Sequence, residues 1–165
     1  MRCQRIVQKS QPKCFGFTFV LFALLPLLTF TASLRGAPEV GADLLASYVA
    51  IQKALAADKF QPVPAEAQTL LRILKSDSWK DAPSAVCQAA EKLSNAKDIW
   101  SARLAFKELS TSLIPYLKSK GVKTGRYVIA HCPMVDADWI QEGKDVRNPY
   151  YGSEMLECGE VTGGL

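Results

Sequence analysis

The sequence is short of the residues on which catalytic and metal sites most often rest. Among 165 residues there is one histidine, His131, with five cysteines and three methionines. A lone imidazole excludes HExxH and other multi-histidine zinc motifs, and no Cys-x-x-Cys is present to suggest a zinc ribbon or a thioredoxin-type pair. No Gly-rich phosphate loop and no paired-carboxylate signature occurs. His131 and Cys132 are adjacent, but neighbours on an extended chain diverge, which weakens a Cys–His nucleophile pair. Positive charge is also scarce where it would count. The formal charge is +4, yet Arg2, Arg5, Lys9 and Lys13 supply all of the excess, and from residue 34 onward basic and acidic residues balance at 16 each. No basic stripe with interleaved aromatics remains, so the sequence does not suggest nucleic-acid binding.

What the sequence does have begins with an address. Residues 1–14 are polar and basic, and residues 15–30, FGFTFVLFALLPLLTF, carry no charge. Thr31, Ala32 and Ser33 follow as small residues. This is the order of a secretory signal peptide, assigned to residues 1–33, with Ser33 or Ala37 as its last residue. A membrane span needs about 20 apolar residues, and this run is shorter and interrupted by Pro26. Cys3 and Cys14 precede the apolar run and do not suit lipoprotein attachment. Removing the leader leaves Cys87, Cys132 and Cys158 in an exported, periplasmic or secreted protein. Three is an odd number, so at least one thiol has no intramolecular partner.

The body, 41–161, reads as helical. Leu44, Tyr48, Ile51 and Leu55 recur at helical spacing over 41–59, and Pro62 and Pro64 stop propagation there. Pro64 suits the first turn of a helix over 65–75 with Ala67, Leu70, Leu71 and Leu74 on one face. A third helix starts near 81–83 and carries Val86, Ala89, Ala90 and Leu93, with Cys87 beside that stripe as a buried small residue. Asn95 is expected to cap a fourth helix reaching residue 120, with stripe Ala102, Phe106, Leu109, Leu113 and Tyr116. Gly121 is placed to end it, and Pro115 is expected to kink or shorten its last turn. Short connections between four amphipathic helices predict a mainly α fold, an antiparallel four-helix up-and-down bundle with a small C-terminal β/loop segment. Residues 126–130 are β-prone and 138–140 offer a short second strand. Residues 148–152 are turn chemistry carrying two tyrosines, and 161–165 read as frayed.

The soft ligands collect in the tail, 126–160. His131, Cys132, Met134, Met155 and Cys158 fall within one 28-residue window that holds every histidine and methionine and two of the three cysteines left after the leader. Thiolates and thioethers select Cu(I) and related d10 ions, whereas the oxygen ligands preferred by Mg²⁺ and Ca²⁺ are not concentrated here in a recognised motif. If the chain stays extended through residue 134, Cys132 and Met134 share a face and His131 points away. If 153–158 forms a helical turn, Met155 and Cys158 at i and i+3 share a face too. Two sulfur pairs would then close on one ion, with His131 a fifth ligand or a bystander. A Cys132–Cys158 disulfide stapling the tail is the competing reading, and the two could be redox states of one site. The acidic residues Asp136, Asp138, Glu142, Asp145, Glu154, Glu157 and Glu160 read as a solvated face.

Residues Ala96-Lys97-Asp98-Ile99 and Ala105-Phe106-Lys107-Glu108-Leu109-Ser110, with the tail series Tyr127, His131-Cys132-Pro133-Met134, Trp139, Val146-Arg147-Asn148-Pro149-Tyr150-Tyr151-Gly152, Met155-Leu156 and Cys158-Gly159-Glu160, resemble a bacterial domain-of-unknown-function family. That family occurs as small secreted proteins and fused to periplasmic adaptor subunits of copper/silver efflux pumps. The resemblance covers roughly 43–161 and is most specific in the tail. It implies a helical bundle with a copper site on Cys132, Met134, Met155 and Cys158, His131 standing just before the motif. The chain departs from the family in its proline-rich 61–64 stretch, and it contains no adaptor domain, so pump membership is not inherited. The expected function is Cu(I) or Ag(I) binding without catalysis, buffering copper or handing it over, with a heavy-metal efflux system as a partner. The alternative is an envelope interaction module with a disulfide-stapled tail.

Overall fold

A computed structural model describes residues 41–165; the leader assigned to 1–33, with Cys3 and Cys14, lies outside the described residues. Four helices come first: α1 (Ala42–Ala56), α2 (Val63–Leu74), α3 (Ser84–Ser94) and α4 (Ile99–Ser119). Each packs on the next in the chain. The predicted stripes are buried apart from Leu71 of α2, which is half-buried and packs at the edge of the core. Leu44, Tyr48, Ile51 and Leu55 of α1, Ala67, Leu70 and Leu74 of α2, Val86, Ala90 and Leu93 of α3, and Phe106, Leu109 and Leu113 of α4 form one core. Fully burying such a side chain contributes about 1.5–3 kcal/mol, which is what holds helices this short together.

The ends of the helices correct the sequence reading in instructive ways. α1 stops at Ala56, three residues before the expected boundary. The Lys59 N–H reaches the Ala54 carbonyl at 2.8 Å and the Asp58 N–H reaches that of Leu55 at 3.2 Å. This is a Schellman ending, with Asp58 at φ 56° in the left-handed position that usually takes glycine. α4 is capped by Asp98, not Asn95: the Asp98 carboxylate accepts from the Ser101 N–H at 2.8 Å, and Ser101 Oγ accepts from the Asp98 N–H in return. Asn95 instead closes α3, its amide donating to the Glu91 carbonyl at 2.8 Å. α4 runs through Pro115 to Ser119, within one residue of its expected end, so the proline does not shorten it. Among the described residues no helix is long and apolar enough to cross a membrane.

Three strands follow: β1 (Tyr127–Cys132), β2 (Ala137–Glu142) and β3 (Glu160–Gly164). They form an antiparallel sheet in the order β2-β1-β3. β3 overturns the expectation of a frayed 161–165 stretch. Its residues are exposed, and pairing with β1 orders them; Leu165 is buried, and its N–H donates to the Tyr127 carbonyl at 3.0 Å. The sheet lies against α1 and α4 through β2. Tyr48 joins all three elements, sharing a 2.6 Å hydrogen bond with Ser110 of α4 and accepting from the Ile140 N–H of β2 at 3.3 Å.

Candidate functional site

Strand alternation gives β1 two chemically different faces. Paired residues share a face, so Ile129 and His131 go with Ile140 and Asp138, while Ala130 and Cys132 go with Trp139 and Ala137. The first set looks toward the helices. There His131 Nδ1 lies 2.9 Å from Asp138, and Nε2 is 4.0 Å from Asp136. A groove of about 450 Å³ on this side is lined by Thr111, Pro115, Lys118, His131, Asp136 and Asp138. Asp136 sits at φ 48° in the β1–β2 turn.

The second set is covered by the 143–159 segment, and here the two tail cysteines meet. The register pairs His131 with Glu160, so residues 158–159, immediately before β3, run beside Cys132. Gly159 makes that approach possible. At its φ of 144°, an added Cβ would stand 2.7 Å from the His131 carbonyl oxygen and 2.8 Å from the Trp139 ring. Both cysteines are free thiols, Cys132 fully buried and Cys158 half-buried. Burial pushes the Cys158 thiol above its ordinary pKa, and the neighbouring Cys132 sulfur adds to the rise by charge and by hydrogen bonding. That direction disfavours a lone reactive thiolate and is what two thiols sharing one site produce.

Asn148 organises this meeting point. It is fully buried, and its Nδ2 donates to Cys132 Sγ at 3.2 Å and to the Cys158 carbonyl at 2.7 Å. Its Oδ1 accepts from the Tyr150 N–H at 2.8 Å, and its own N–H donates to the Leu156 carbonyl at 2.7 Å. Gln141, also buried, accepts from Trp139 Nε1 and the Arg147 N–H and donates to the Gly143 and Asp145 carbonyls. Every buried side-chain nitrogen and oxygen among the described residues has a partner.

A second anchor holds the covering segment on the helices. Arg103, buried in α4, donates to the Pro149 and Leu55 carbonyls at 3.1 Å each and to Asp58 at 2.6 Å. Asp58 also accepts from the Ser153 N–H at 3.0 Å. Hydrogen bonds from Ser153, then the Arg103 guanidinium, hold the Asp58 carboxyl below its usual pKa. Gly152, at φ 60°, passes so close that a Cβ there would collide with both Asp58 and Arg103. The left-handed conformation of Asp58 is thus offset by the hydrogen bonds that its side chain accepts there from Arg103 and Ser153.

The five sulfur and imidazole ligands predicted from sequence therefore divide. Cys132 and Cys158 are together. Met155 is joined to Cys158 by a turn, the Cys158 N–H donating to the Met155 carbonyl at 3.1 Å. That turn follows a 3-10 turn at Gly152–Glu154 and replaces the single helical turn expected over 153–158. Met134 does not share the extended face of Cys132, because β1 ends at Cys132 and residues 133–136 form a turn that leaves Met134 60% exposed. His131 lies on the opposite face with Asp138. No three His, Cys, Asp or Glu side chains among the described residues are arranged to hold a metal ion. Two thiolates supplemented by thioether lie outside that kind of grouping and match the soft donor set of d10 ions.

Residues 44–125 match a family model described as a protein of unknown function (DUF3347). The match spans α1 to α4 and stops short of β1, so it covers the helices and not the cysteine-bearing tail. No curated protein and no solved structure matches the chain.

Proposed function

We propose that this chain, whose helices match a family of unknown function, is an exported protein that binds Cu(I) or Ag(I) as cargo through Cys132 and Cys158. The observation that carries the reading is the convergence of two free thiols, one buried and one half-buried, at the junction of β1 with the start of β3. Met155 is the thioether next in reach along the chain. Met134, in its exposed turn, would join only after that turn refolds, and His131 would have to leave Asp138. The ion exchanges for the thiol protons on binding. In this reading the protein buffers the ion in the periplasm or passes it to an efflux component, without catalysis. The four helices, read as an antiparallel up-and-down bundle, serve as the platform that fixes the tail.

Titration of the reduced protein with Cu(I) against a chromophoric chelator tests this reading. One equivalent is expected to bind, with binding lost in Cys132→Ser and in Cys158→Ser and weakened about tenfold in Met155→Leu. Absence of Cu(I) uptake by the reduced wild type would overturn it. A second reading, an interaction module with a Cys132–Cys158 disulfide, draws on Trp100 and Leu104. These α4 residues are 59% and 68% exposed beside an apolar groove of about 270 Å³ that also takes in Val135 and Tyr151. A stoichiometric disulfide in protein recovered from the periplasm without reductant, with no metal uptake after reduction, would favour it.

A further inference from the structure

Asn148 stands in an unusual place for a turn residue. Its side chain is wholly buried and its two Nδ2 hydrogens go to different ends of the dithiol, one to the Cys132 sulfur and one to the main chain of Cys158. Its Oδ1 and backbone N–H are committed to Tyr150 and Leu156, so the amide cannot rotate without losing a bond on the covering segment. The donor is neutral. A lysine or arginine here would neutralise one thiolate and compete with a cation, whereas a carboxamide orients sulfur lone pairs and leaves the site's charge to the ion. An asparagine confined to a turn would need only local backbone partners; this one spans from residue 148 back to 132 and forward to 158.

We infer that Asn148 is the positioning residue of the dithiol: its amide fixes the Cys132 sulfur relative to the Cys158 main chain, so that the two sulfurs present a preformed pair to one soft ion. The inference rests on the soft-ion reading of the same site for its biological meaning, but the pairing of the thiols can be measured without copper.

The experiment uses phenylarsine oxide, whose arsenic forms two As–S bonds with a close dithiol while its oxygen leaves as water with both thiol protons. Capture by the reduced protein is compared with Cu(I) affinity in wild type, Asn148→Asp and Asn148→Ala, well below each variant's melting temperature. Asn148→Asp keeps the size of the side chain and the acceptor for the Tyr150 N–H but removes both donated bonds. It is expected to lower arsenical capture and Cu(I) affinity by about tenfold or more, the scale of loss typical when a ligand-orienting partner is removed. Gln141→Leu, which disturbs the same covering segment without touching either cysteine, is expected to lower the melting temperature while leaving capture within about threefold. Wild-type capture retained in Asn148→Asp would overturn the inference. So would an equal loss in Gln141→Leu, which would reduce Asn148 to a general packing role, and so would a wild type that captures no arsenical. A wild type that captures the arsenical but takes up no Cu(I) would remove the soft-ion reading and leave the positioning role standing.

Discussion

His131 and Cys132 are consecutive in the chain and belong to different chemical worlds. One residue of strand alternation sends the imidazole toward α4, where it meets Asp138 and Asp136, and the thiol toward the 143–159 segment, where it meets Asn148 and Cys158. The first face collects nitrogen and oxygen donors, the second collects sulfur. Proximity in sequence is therefore not proximity in space for His131, as alternation along an extended strand predicts. It was informative for Met155, which is tied into a turn with Cys158. A two-stranded pairing is enough to sort hard from soft donors, because adjacent side chains on a strand cannot converge.

The two faces should differ most under substitution of the two neighbours. Cys132→Ser is expected to cost more than about 100-fold in Cu(I) affinity, beyond the 10–100-fold typical of residues one layer out, while His131→Ala changes it by less than about threefold. Competition titration with a chromophoric chelator reads both. Comparable losses in the two variants would mean that the faces are not chemically separate.

Next in size are the two glycines and the arginine that let the sulfur face close. Gly159→Ala must place a methyl against the His131 carbonyl and the Trp139 ring, and Gly152→Ala one against Asp58 and Arg103. Each is expected to lose about 1–3 kcal/mol from strain and steric conflict, measured by urea unfolding. Arg103→Met removes the donors to Pro149, Leu55 and Asp58 and is expected to lose about 1–3 kcal/mol. Its effect should fall on the covering segment first, seen as faster amide exchange over 146–159 than in α2 and α3.

A smaller effect concerns acid. Asp58 has a lowered pKa in the folded protein, so between that value and its unfolded value near pH 4 the unfolded chain binds more protons, and stability rises with pH. The contribution is fully present above about pH 4 and is lost as the pH falls through the lowered pKa. Asp58→Asn should therefore flatten the acid limb of the urea midpoint against pH. The flattening is partial, because Asp81, Asp98 and Glu142 are lowered as well. The smallest effect belongs to Met134→Leu, expected to stay within about 0.5 kcal/mol in stability, since the side chain stands in solvent.

The same two regions show where sequence reasoning reaches and where it stops. The helices were legible because each buries one stripe, and a stripe is written locally at 3.6-residue spacing. Cap positions shifted because Asn95 and Asp98 are both competent caps three residues apart; the capping box with Ser101 decided between them. The third strand was invisible for the opposite reason. Glu160–Gly164 is exposed and glycine-rich, and its order comes from pairing with β1 rather than from any pattern of its own. Cys132 and Cys158 could be named from the clustering of sulfur. Asn148 could not be given its role, since Asn-Pro reads as a turn whether or not its amide reaches 10 and 16 residues away. Arg103 looked like any polar helix residue until Asp58, in a left-handed turn, supplied its partner.

Sulfur ligation by Cys132 and Cys158 is tested most directly by X-ray absorption at the copper edge of the reduced protein loaded with one equivalent of Cu(I). A coordination shell of sulfur alone is expected, without the multiple-scattering signature of imidazole, and that shell is expected to be lost in Cys158→Ser. Imidazole nitrogen in the wild-type spectrum, or copper that washes away before the spectrum is taken, would contradict that ligation.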